Sequence, residues 1–319
     1  MRDLLFVGLF ALFLTNTHAA DINVLTYDAT GDTVIITDCA EDASGDLVIP
    51  DTIGGKPVTS IGRSAFYNCF SLTSITIPDS VTSIGDYVFG GLSSLSDITI
   101  GISVTSIGDR AFSGCTSLMS ITIPDGVTSI GEGAFANCAN LTSITIPNGV
   151  TSIGAGPFSG CESLTTIEVG EGNMNFTGIN GVLFNAEKTV LVAYPTGKAG
   201  ANYKIHDGVT SIGGSAFSKC TSLTSITIPD GVISIGSSAF RGCSSLSDIT
   251  IPDSVISIGY GALSMGKSLS AVTFLGDAPK KGLNVFNSSV TLTIYRKPEA
   301  KGWGDTWAER PVKLISEKP

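Results

Sequence analysis

The chain has 319 residues, 42% of them apolar and only 14% charged, and its net charge is −10. So many apolar residues with so few charges exclude a disordered chain. The acidic balance excludes a nucleic-acid partner, which requires clustered Lys and Arg. The charge is unevenly spread: eight acids and no base stand between Asp21 and Gly55, but nine bases and five acids from Lys267 to the end. Charge runs of this kind read as solvated caps. Their opposite signs also admit a weak head-to-tail self-association through a heterologous contact.

Residues 1–20 read as an export signal. Arg2 is followed by an eleven-residue apolar run, Leu4 to Leu14, and then by "TNTHAA", with cleavage expected after Ala19 or Ala20. The run is shorter than the ~20 residues that span a bilayer. No later stretch is long and apolar enough to do so, so no membrane insertion is expected after cleavage. The mature protein is expected to be secreted or held at the cell surface.

Beyond a segment 21–56 that reads as an N-terminal cap, the chain repeats itself. The Phe of an "AF" pair falls at Phe66, Phe89, Phe112, Phe135 and Phe158, then at Phe217 and Phe240, always 23 apart within each series; Leu263 and Phe286 continue it. The interval from Phe158 to Phe217 is not a multiple of that spacing. Inside it "FTGINGVLF", Phe176 to Phe184, is similar to "VTSIGxxAF" and divides the interval into two longer coils that meet at Phe184. About ten coils result over 57–291, most with the 23-residue period and irregular over about 170–208.

Each regular coil opens with Leu-x-x-Ile-x-Ile-Pro. Ile144 and Ile146 alternate with Ser143 and Thr145, the period of a half-buried strand. Pro147 ends it, since proline cannot donate to a ladder. An "NG" or "DG" turn follows, then Val-x-x-Ile-Gly, then "GAFANC", which suits one short helical or 3₁₀ turn. One coil cannot bury its apolar face alone; stacking the coils buries a continuous core and gives a β-rich solenoid. At a strand spacing of about 4.8 Å the stack extends roughly 45–50 Å. Ile22–Ile49 reads as a hairpin cap at one end. Residues 292–319 read as the cap at the other, with Trp303 and Trp307 closing the last layer.

The "LTSITIP…VTSIG…AFxxC" pattern resembles the BspA-like leucine-rich repeat, also called the Treponema pallidum type, over about residues 47–295. The segment "NFTGINGVLFNAEKTVLVAYP" is similar to an irregular coil of that family. The resemblance implies a curved leucine-rich repeat solenoid with its Leu-x-x-Ile-x-Ile strands on the concave side. It also implies secretion or surface display, and adhesion to host proteins, other cells or matrix.

Little in the sequence points to chemistry. Cys69, Cys115, Cys138, Cys161, Cys220 and Cys243 share one slot of the repeat, which Leu92 fills elsewhere, so they read as buried free thiols. Cys39 stands outside this series without an evident partner. His206 is the only His after the signal, too few for a metal cluster, and no residue near it is marked as a nucleophile. The recurrent glycines Gly62, Gly85, Gly131 and Gly236 read as turn geometry rather than a phosphate loop. Asp79, Asp125, Asp207, Asp230 and Asp253 recur after the strands as turn residues, with Asn148 exchanging for them. The acids of "DATGDT" and "DCAEDASGD" fit no calcium-loop spacing. No enzyme activity, cofactor or metal is expected.

The outward face of the strands is a nearly uncharged hydroxyl surface, including Ser143, Thr145, Thr166, Glu168, Ser225 and Thr227. Thr favours strands and keeps such a face soluble. As a binding surface it would act weakly and repetitively. The irregular excursion adds Phe176, Tyr194, Lys198, Tyr203 and Lys204, and specificity tends to sit where a rigid scaffold carries an irregular loop. The expected role is protein or macromolecule binding, with a cell-surface or matrix partner. The alternatives are a glycan-active or glycan-binding protein and a structural or ice-binding hydroxyl array.

Overall fold

The computed structural model describes residues 22–265, 268–287 and 291–318; the expected export signal and Asp21 lie outside them. It is a β-solenoid of about eleven turns with almost no helix. Among the described residues no helix is long and apolar enough to cross a membrane.

Each coil has three faces. On the first, the Leu-x-x-Ile-x-Ile segments pair in parallel and in register: Ser143 lies opposite Thr166, Ile144 opposite Ile167. The same pairing joins Ser71–Thr76 to Asp97–Thr99 and Asp248–Ile251 to Ala271–Phe274. In this broad ladder Ile144 and Ile146 point into the core and Ser143 and Thr145 outward, as the alternation predicts.

The second face is a ladder the sequence does not announce. The Ser-Ile of each "VTSIG" forms a two-residue strand. These pair in parallel from Ser60 through Ser83, Ser106 and Ser129 to Ser152, and again from Ser211 through Ser234 to Ser257. Two residues are too few to show a period; only stacking makes them a sheet. The glycine after each pair has a different purpose from the one the sequence suggests. Gly131 and Gly236 do not adopt the positive φ of a turn. A Cβ on Gly131 would lie 2.5 Å from the Asp109 nitrogen, and one on Gly236 2.7 Å from the Gly214 nitrogen. They are glycines because the neighbouring coil passes too close for a side chain.

The third face carries the "AF" turns. A helix cannot continue there, because Ser64, Tyr87 and Arg110 hold φ of 56°, 56° and 54°, a left-handed conformation that breaks a right-handed helix. The turns bond to the next coil instead: Phe66 N–H donates to the Val88 carbonyl at 3.0 Å, and Phe112 N–H to Ala134 at 2.8 Å. Inside, Phe66, Phe89, Phe112, Phe135 and Phe158 stack with centroids 5.2, 5.2, 5.3 and 5.8 Å apart.

All seven cysteines are free and buried. They do more than fill space. Cys115 Sγ donates to the Phe89 carbonyl at 3.1 Å, Cys138 to Phe112 at 3.1 Å and Cys161 to Phe135 at 3.0 Å, each tying its coil to the one before. Cys39 is the head of this column rather than outside it: Cys69 Sγ lies 3.4 Å from the Cys39 carbonyl oxygen.

The caps extend the ladders before closing them. Leu25–Asp28 pairs antiparallel with Val34–Cys39, the expected hairpin, yet Val34–Cys39 runs parallel to Lys56–Ile61 and Ser44–Val48 parallel to Ser71–Thr76. At the other end Thr293–Arg296 is still a row of the broad ladder. Trp303 and Trp307 pack on Phe274 with centroids at 4.9 and 5.2 Å, closing the core as expected.

The excursion differs from its sequence reading. Asn180 and Gly181 both hold positive φ, 52° and 77°, the requirement of a two-residue hairpin turn. Phe176–Ile179 therefore folds back antiparallel on Val182–Asn185, which in turn pairs antiparallel with Val190–Ala193. Val190 and Leu191 take the Ser-Ile places opposite Ser211 and Ile212, and Tyr194 enters the Phe column, 5.2 Å from Phe217. The interval thus divides at Tyr194 and not at Phe184, into one long coil from Phe158 to Tyr194 and one of ordinary length from Tyr194 to Phe217.

This insert is a wedge. On the broad ladder its turn occupies the row beyond Thr166–Val169, with Ile167 N–H donating to the Gly181 carbonyl at 2.9 Å. On the turn face the two halves of the solenoid meet directly: Gly156 N–H donates to the Gly214 carbonyl at 3.2 Å.

Candidate functional site

Where the hairpin interrupts the broad ladder it leaves a groove of about 730 Å³. Thr145, Thr166, Glu168 and Phe176 line it, four of the residues singled out in the sequence, together with Glu171 and Asn173. Asn173 organises the rim. Its amide nitrogen donates to the carbonyls of Pro147 at 2.7 Å and Val150 at 3.2 Å, and its oxygen accepts from the backbone of Asn175 at 2.8 Å and Phe176 at 2.9 Å. One side chain thereby fixes the start of the hairpin to the preceding coil. Sequence reasoning missed Asn173; its only signal is an Asn in a loop, a residue that commonly bonds nearby backbone. Glu168 and Glu171 are both exposed, and no basic side chain lines the groove. Its field favours a positively charged or hydrogen-bond-donating partner.

The remaining predicted residues fall into three groups. Ser143, Ser225 and Thr227 are exposed on the broad ladder. Ser225 and Thr227 line a smaller depression of about 240 Å³ together with Asp230 and Asp248. Lys198 and Lys204 are already engaged: Lys198 Nζ donates to the Asn180 carbonyl at 2.6 Å, bracing the hairpin turn, and Lys204 pairs with Asp207 at 2.9 Å. The two tyrosines belong to the core. Tyr194 is 4% exposed, so it offers nothing to a partner, and half-buried Tyr203 packs edge-on against it at 4.7 Å. Burial pushes both phenols up to about 12. An aromatic in an irregular segment looks like a contact residue in sequence; the register of the ladder is what assigns Tyr194 to the Phe column.

The hydroxyls divide by position. Those flanking the rows serve the ladder, as when Thr82 donates to the Thr59 carbonyl at 3.1 Å and Thr105 to Thr82 at 3.0 Å. Those central to the broad ladder, such as Ser143, Thr145, Ser225 and Thr227, carry no side-chain hydrogen bond among the described residues and face outward. Of the recurrent carboxylates, Asp79 accepts the Ile102 N–H of the next coil at 3.0 Å, and Asp207 takes the Lys204 ammonium. His206 is exposed and occupies the place of Pro229, since Asn202–Lys204 pairs in register with Ser225–Thr227; its Nδ1 accepts the Gly208 N–H at 3.1 Å. Among the described residues no group of three or more His, Cys, Asp or Glu is placed to hold a metal ion.

Comparison with known proteins agrees with this architecture. The family model of the BspA type leucine rich repeat region matches residues 59–190 and 198–300. A leucine-rich repeat protein from Eubacterium ventriosum is 28% identical, with a TM-score of 0.62 over 86% of this chain and 76% of its own. Another from Bacteroides ovatus is 26% identical, with a TM-score of 0.59 over 93% of this chain and 76% of its own. The pneumococcal vaccine antigen PcpA shares the fold at 24% identity and a TM-score of 0.59, over 86% of each chain. No curated protein matches the chain. With the repeat matched over most of its length and the same solenoid in its structural relatives, the chain belongs to the BspA-type leucine-rich repeat family.

Proposed function

We propose that this protein is an exported, surface-exposed recognition scaffold that holds a macromolecular partner on its broad ladder, centred on the groove beside the hairpin. The observation that carries this reading is the groove itself. It lies where the insert interrupts the hydroxyl face, it unites residues from regular coils and from the insert, and its acids are in no ion pair among the described residues. The role is binding rather than chemistry, in keeping with a family whose fold serves as a scaffold. The partner is a protein or a cell-surface or matrix macromolecule presenting basic groups, and adhesion is the expected consequence. The hydroxyl-array reading has less support, because Asp97, Glu168, Lys204 and Asp248 interrupt the rows and the insert breaks them.

The test is saturable binding of residues 21–319 to matrix proteins and whole cells, repeated with Glu168→Lys and Thr166→Arg. Both positions are on the rim of the groove, and the fold of each variant is checked by its melting curve. Binding that falls at least tenfold in both supports the site. Binding that is unchanged in both places the contact elsewhere. Deleting the hairpin is not a clean test, because Val182, Leu183 and Phe184 belong to the core.

A further inference from the structure

The turn face has a trough of about 440 Å³ where the two halves of the solenoid meet. In neighbouring coils this face carries large side chains: Tyr87 lies between Arg63 and Arg110, whose guanidinium carbons stand 5.4 and 5.5 Å from its ring centre. At the joint the corresponding places hold Gly133, Gly156, Ser215 and Ser238, so the floor sinks. Arg110, Lys219 and Arg241 line it. Arg110 is partly neutralised by Glu132 at 3.8 Å, and its Nη1 donates to the Tyr87 hydroxyl at 2.5 Å. Lys219 donates to Asn137 at 2.7 Å, and Arg241 has no side-chain partner among the described residues. The result is a local cationic excess on a molecule of net charge −10.

A second, independent feature points inward. Ser218 is only 7% exposed, it lines the trough, and its hydroxyl has no hydrogen-bond partner among the described residues. That oxygen is not sealed from solvent, so a ligand in the trough can reach it and bond to it. Ser113, Ser159 and Ser215 share the lining, and no apolar side chain larger than alanine does.

We propose that this trough is a second binding site, separate from the groove on the broad ladder, and that it takes a short anionic oligosaccharide carrying carboxylates. The floor of hydroxyls and backbone matches a polyhydroxylated ligand. The guanidinium groups in the lining match planar carboxylates in the two-point geometry that arginine favours. The volume lies in the ~300–1,000 Å³ range of small-ligand sites. An acidic peptide has the same charge but would leave the serine floor largely unmatched.

Titration calorimetry with oligogalacturonate, beside a neutral oligosaccharide of the same length and oligoglutamate, tests the proposal. The uronate is expected to bind with an affinity that falls as salt rises. Arg241→Glu and Ser159→Glu are each expected to weaken it at least tenfold without changing the melting temperature, while Glu168→Lys leaves it unchanged. Failure of the uronate to bind, equal binding of the neutral sugar, tighter binding of oligoglutamate, or indifference to both trough variants would each overturn it. Since the broad-ladder groove is probed by a different variant, the two readings fail separately.

Discussion

The ammonium of Lys219 donates to the side-chain oxygen of Asn137 at 2.7 Å although 82 residues separate them. Elsewhere on the turn face a residue reaches the coil one repeat away. This contact bypasses the whole insert, and with the bond from Gly156 to Gly214 it makes the joint a packed seam rather than a linker.

Gly156 is the weak point of that seam. Its φ is +55°, and a Cβ there would lie 2.6 Å from the Ser215 Cβ. Gly156→Val is expected to cost about 2–4 kcal/mol, from backbone strain and overpacking together. Hydrogen exchange should show the loss first at Gly156 and in the coils on either side. Uniform loss across the whole chain would mean that the halves do not separate at the joint.

Tyr194 separates core from surface in the excursion. Tyr194→Ala is expected to destabilise by about 3–5 kcal/mol, as for other buried aromatics. Tyr194→Phe should be close to neutral, since the hydroxyl has no hydrogen-bond partner among the described residues. Lys198→Ala, which removes only the brace on the hairpin turn, should cost about 1 kcal/mol. Urea denaturation of the three variants decides the ranking; a Tyr194→Ala chain as stable as the parent would refute the core assignment.

The buried thiols make stability sensitive to alkali. Desolvation pushes Cys115 and Cys243 up to about 12, from an ordinary value of 9.0. Above 9 the unfolded chain releases protons that the native chain retains, so the unfolded state binds fewer protons and stability falls as pH rises. The loss is about 1 kcal/mol per thiol per pH unit and ends near the native values. The urea midpoint should therefore drop between about pH 8.5 and 10.5, and a variant with Leu at positions 115 and 243 should drop less. A thiol reagent at neutral pH should label the cysteines only after unfolding.

The sequence by itself determined the solenoid. Its 23-residue period states which Ile, Phe and Cys face inward, and stacking is the only way such a unit buries its apolar face. The inward and outward alternation of the broad strands and the Trp-closed end are legible there, because each is marked by residue types that stand together in the chain. The tertiary structure decided what depends on the neighbouring coil. The two-residue ladder exists only by repetition, and Gly131 is glycine because Asp109 of the previous coil leaves no room. Cys39 joins the thiol column through a coil 30 residues away. The excursion shows the limit most plainly. "FTGING" has the letters of a regular coil, but Asn180 and Gly181 turn it into a hairpin, and that wedge sends Tyr194 into the core. Both the groove at Glu168 and the trough at Ser218 follow from how the wedge separates or joins distant coils, which no local pattern records.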